Sequence, residues 1–87
     1  MTGVSAEQEI AVLDAVRAIH KRNRTHEAVI SRTAIMSEIL DKPREYGIRV
    51  YNINELRKIV TTVCNEHFEE ISNNWRNGAW IVKGVVE

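Results

Sequence analysis

The stretch from Tyr51 to Gly84 constrains the fold most, because it joins a well-capped amphipathic helix directly to a β-hairpin signal. Asn52 stands at an N-cap position, where its side chain can accept from a first-turn N–H, and Glu55 follows at capping-box spacing. Tyr51 and Leu56 occupy the staple positions just outside and just inside that start. The spacing predicts a helix over Ile53–Phe68. Leu56, Ile59, Val60, Val63, Cys64 and His67 share one face, while Arg57, Lys58, Thr61, Thr62 and Asn65 lie on or near the other. Asn77-Gly78 is a pair suited to the positive φ angles of a two-residue turn. It predicts strands at Glu70–Trp75 and Ala79–Val85, with Trp75 opposite Trp80 and Asn73 opposite Val82.

Two further helices precede this unit. The first is expected over Ala6–Arg22, where Ser5 and Gln8 have capping-box spacing and Glu7 and Glu9 favour the positive end of the helix dipole. Ile10, Val12, Leu13, Val16, Ala18 and Ile19 recur at helical spacing as its apolar face. The basic run Lys21–Arg24 suits the negative end and reads as a dipole partner and solubilising patch. Ala28-Val29-Ile30 can form a short strand. Ser31 then caps a second helix over Arg32–Leu40, with Ile30 and Ile35 as its staple and Ile35, Met36, Ile39 and Leu40 facing the core. Asp41-Lys42-Pro43 ends it, since the residue before proline is pushed out of the helical region. Pro43–Tyr51 reads as a long turn in which Gly47 takes positive φ and Ile48, Val50 and Tyr51 anchor the segment.

Bulk properties bound the answer. Eighty-seven residues make one small domain spanning the chain, 1–87. A single cysteine, Cys64, allows no intrachain disulfide, which fits a reducing cytoplasm. No apolar run approaches the ~18 residues of a membrane span, and the N-terminus lacks signal-peptide character. Twelve basic residues balance twelve acidic ones, so nucleic-acid affinity would depend on where the charges lie.

The element order from Ser5 to Val85 (helix, optional strand, helix, helix, hairpin) resembles a winged helix-turn-helix domain: mainly α, with a small β-hairpin as the wing. The resemblance implies a small DNA-binding protein, a transcriptional regulator whose third helix enters the major groove while the wing reaches a neighbouring phosphate or the minor groove. On that implication Asn54, Arg57, Lys58, Thr61, Thr62 and Asn65 of the third helix meet duplex DNA. Ser31, Arg32 and Thr33 contact phosphate, and Asn73, Asn74, Arg76 and Asn77 form the wing. Arginine reads guanine bidentately and asparagine adenine, whereas threonine suits phosphate or a thymine methyl. Reading paired half-sites favours a homodimer, with the first helix as the element left over for it.

A different function class competes: a winged-helix protein-interaction module, either an adaptor subunit or a small viral inhibitor of a host protein. Neutral net charge and the acidic group Glu66, Glu69 and Glu70 point that way. Catalytic and cofactor chemistry has little to stand on. There is no phosphate-cradling glycine loop and no nucleophile motif. Cys64 and His67 are two ligands at helical spacing, short of a metal site, so neither an enzyme nor a metal protein is expected. Cys64 reads as a small core residue and His67 as a helix-end partner. Trp75 and Trp80 read as a cross-strand pair packed on the core.

Overall fold

Three side-chain caps start the three long helices, each set by residues three apart. The computed structural model describes residues 4–23, 27–47, 52–70 and 78–83, with only the backbone of Glu70. Helix α1 spans Ala6–Asn23. Ser5 Oγ accepts from the Gln8 N–H at 3.2 Å while Gln8 Oε1 accepts from the Ser5 N–H at 3.0 Å, a reciprocal capping box. Helix α2 spans Arg32–Asp41, and Ser31 Oγ accepts from the Ala34 N–H at 3.1 Å. After the short helix α3 (Pro43–Tyr46), helix α4 spans Ile53–His67, where Asn52 Oδ1 accepts from the Glu55 N–H at 2.7 Å.

The expected long turn after α2 therefore contains a helix. Pro43 sits at its first position, where a missing N–H is harmless and a fixed φ is already helical. Gly47 ends it in the left-handed region at φ 69°, as expected of a glycine that needs no Cβ clearance. Ile48, Val50 and Tyr51, the expected anchors, lie outside the described residues.

Strands β1 (Glu27–Ser31), β2 (Glu69–Glu70) and β3 (Ala79–Lys83) form an antiparallel sheet in the order β1-β3-β2. The molecule is thus mainly α with a small antiparallel sheet. Ala28 pairs with Val82 and Ile30 with Trp80, and these four side chains form the buried face of the sheet. They close one core with Val12, Ala15 and Val16 of α1, Ile35 and Ile39 of α2, and Leu56, Val60, Val63 and Cys64 of α4.

The register of β3 corrects the expected hairpin. Glu70 stands opposite Trp80, five positions before the expected partner Trp75, and the same register displaces the expected pairing of Asn73 with Val82. Trp75 and Asn73 themselves lie outside the described residues. Asn77 of the expected two-residue turn lies outside the described residues, and Gly78 stands directly before β3. The Gly78 carbonyl accepts from the Arg32 N–H at 2.8 Å, which fastens the entry to β3 onto the first turn of α2. A Cβ on Gly78 would meet Trp80 Cη2 at 3.3 Å, so the glycine serves close packing over the indole.

Two expected core positions are also corrected. Ile10 is 58 % exposed because it lies on the face of α1 opposite Val12, Ala15 and Val16, and Leu40 is 43 % exposed at the edge of the buried stripe of α2. His67 stands in the last turn of α4, the helix-end position expected of it, on the surface and bonded to Glu9 of α1 at 2.9 Å.

Candidate nucleic-acid interface

Helix α4 separates its two faces cleanly. Leu56, Ile59, Val60, Val63 and Cys64 are buried, and burial pushes the Cys64 thiol up to about 12. Asn54, Arg57, Lys58, Thr61, Thr62 and Asn65 fall at i, i+3, i+4, i+7, i+8 and i+11, which makes one stripe on the side away from the core. Asn54, Arg57, Lys58 and Asn65 are exposed, and Thr61 and Thr62 are half-buried.

Local bonds order this stripe. Arg57 Nη1 donates to Asn54 Oδ1 at 3.2 Å, one turn back on the helix. Arg32, from the first turn of α2, reaches across with Nη1 to Thr61 Oγ1 at 3.4 Å. The Trp80 indole donates to Asn65 Oδ1 at 2.9 Å from β3. Thr61 and Asn65 are themselves one turn apart, so α2, α4 and β3 meet along a single line of polar side chains.

The structure therefore brings Arg32 together with the α4 residues named from sequence. Thr33 is exposed beside Arg32, with no bond joining it to the stripe among the described residues. Asn74, Arg76 and Asn77, the remaining expected wing contacts, lie outside the described residues.

Charge pairing divides the cations into two groups. Arg22 and Lys42 both pair with Glu38, a buried carboxylate of α2, and the Tyr46 hydroxyl completes its shell at 2.6 Å. The expected dipole partner Arg22 is thus engaged at the junction of α1, α2 and α3. Among the described residues, Arg32, Arg57 and Lys58 have no carboxylate partner, and neither do Arg17, Lys21, Arg44 and Lys83, which lie off the α4 stripe. Glu55 and Glu66 flank the stripe in the neighbouring row, seven before and four after Thr62.

Sequence reasoning missed two clusters because both join residues distant in the chain. Glu38 sits within an apolar helix face, and nothing local announces that Arg22 and Tyr46 will satisfy it. At the far end of α4, Glu9, Glu66 and His67 bring their ligand atoms within 4.8 Å of one another, whereas Cys64, the expected neighbour of His67, is buried in the core. Among the described residues, no helix is long and apolar enough to cross a membrane. No protein-family model, curated protein or solved structure matches this chain.

Proposed function

We propose that this protein is a winged-helix DNA-binding protein, a transcriptional regulator that reads duplex DNA with α4 and the segment leading into β3. The carrying observation is that Arg32, Arg57 and Lys58, none of which has a carboxylate partner among the described residues, converge on a polar stripe along the outer face of α4. Such a stripe matches the chemistry of a groove: cations for phosphate and guanine, and amides and hydroxyls for base edges and backbone oxygens. The sheet order β1-β3-β2, with β3 fastened to α2 through Gly78, supports the winged-helix reading. Paired half-sites call for a second copy, and α1 offers it the exposed Ile10.

Binding to a mixed duplex pool at about 50 and 200 mM salt, read by fluorescence anisotropy, tests the proposal. Affinity that falls steeply with salt is the expected result, since each neutralised phosphate releases counterions. No binding at the lower salt overturns it in favour of a protein partner, the reading that the acidic row Glu55 and Glu66 favours.

A further inference from the structure

Trp80 is fully buried, and its indole nitrogen is a donor with no acceptor capacity. Asn65 Oδ1 satisfies it at 2.9 Å. That bond settles which way the Asn65 amide points. The reversed amide would set two donors against each other and strand a buried N–H. Asn65 is an exposed residue, so with the carbonyl turned inward its amide NH2 is the end left for solvent, on the helix face it shares with Lys58, Thr61 and Thr62. Trp80 is held firmly enough to impose this. It lies in the central strand between Ile30 and Glu70, and Gly78 leaves no Cβ to displace its ring.

We propose, resting on the reading of this face as the DNA-binding surface, that Trp80 makes Asn65 a dedicated hydrogen-bond donor to nucleic acid. The matching acceptor is a phosphate oxygen or the N7/O6 edge of guanine. Bidentate reading of adenine needs the asparagine carbonyl turned outward beside its NH2, and the bond from Trp80 holds that carbonyl inward. Asn65 thus differs from Thr61 and Thr62, whose hydroxyls rotate to donate or accept.

The test compares the full chain with Asn65→Asp, which keeps an acceptor for the indole and removes the donor, and Asn65→Ala, which removes both. Asn65→Leu, which likewise offers neither donor nor acceptor, replaces Asn65→Ala if that variant does not fold. Trp80 indole hydrogen exchange, assigned with a Trp75→Phe variant, is expected to stay slow in Asn65→Asp and to accelerate in Asn65→Ala. Both are expected to lose about tenfold in duplex affinity, as for a hydrogen bond to a charged acceptor. Uniform loss across sequences identifies phosphate as the acceptor, and relaxed preference at one guanine identifies the base. A loss in Asn65→Asp that the neutral variant does not share is charge repulsion and overturns the inference. So does unchanged affinity in both variants while the wild type binds. A wild type that binds no duplex overturns this inference together with the proposed function.

Discussion

The Tyr46 hydroxyl donates to Glu38 Oε2 at 2.6 Å, closing α3 onto α2 over a carboxylate that is 6 % exposed. The Tyr46 bond is the chief reason that Glu38 sits below its ordinary value of 4.5. Burial opposes it, and Arg22 and Lys42 assist. Burial, then the bond and charge of Glu38, push Tyr46 up from 10.0 to about 12.

These shifts set the pH dependence of stability. A depressed carboxyl contributes stability above pH 4.5 that disappears as pH falls through its folded-state value. A raised phenol contributes stability below pH 10 that disappears as pH rises toward about 12. Tyr46→Phe is expected to cost about 1–2 kcal/mol near neutrality and to flatten both flanks. Urea unfolding across the pH range checks this, and flanks parallel to those of the wild type would exclude the coupling.

Trp80→Ala removes the largest fully buried side chain, together with the donor to Asn65. The expected loss is about 3–5 kcal/mol, a large share of the about 5–15 kcal/mol available to a domain. An unchanged denaturation midpoint would remove Trp80 from the core.

Arg57→Ala combined with Lys58→Ala touches only exposed side chains, so the melting temperature should hold. Duplex affinity should fall steeply, and the slope of log K against log salt should shrink by about two if both cations meet phosphate. Retained affinity with an unchanged slope would exclude α4 as the reader.

Cys64 combines full burial with a thiol held near 12, so the native protein should resist alkylation at pH 8. Labelling followed by mass spectrometry should proceed only as fast as the core opens, and faster in Trp80→Ala. Rapid labelling of the native wild type would contradict the burial.

What the sequence determined by itself is local. Ser5 and Gln8 satisfy each other, and Ser31 and Asn52 each accept from the N–H three residues on, so these bonds are legible before any fold exists. The two faces of α4 were equally legible, because 3.6-residue periodicity separates Leu56, Val60 and Val63 from Arg57, Lys58 and Thr61. Tertiary structure decided whatever depends on partners distant in the chain. Asn77-Gly78 carried a sound local turn signal, yet β3 is the central strand, and pairing to β1 and β2 puts Trp80 between Ile30 and Glu70. The bonds Arg32–Thr61, Trp80–Asn65 and Arg22–Glu38 join residues 29, 15 and 16 apart. Such contacts form only when helices and sheet close over one core, because the buried indole and the buried carboxylate must each find a partner there.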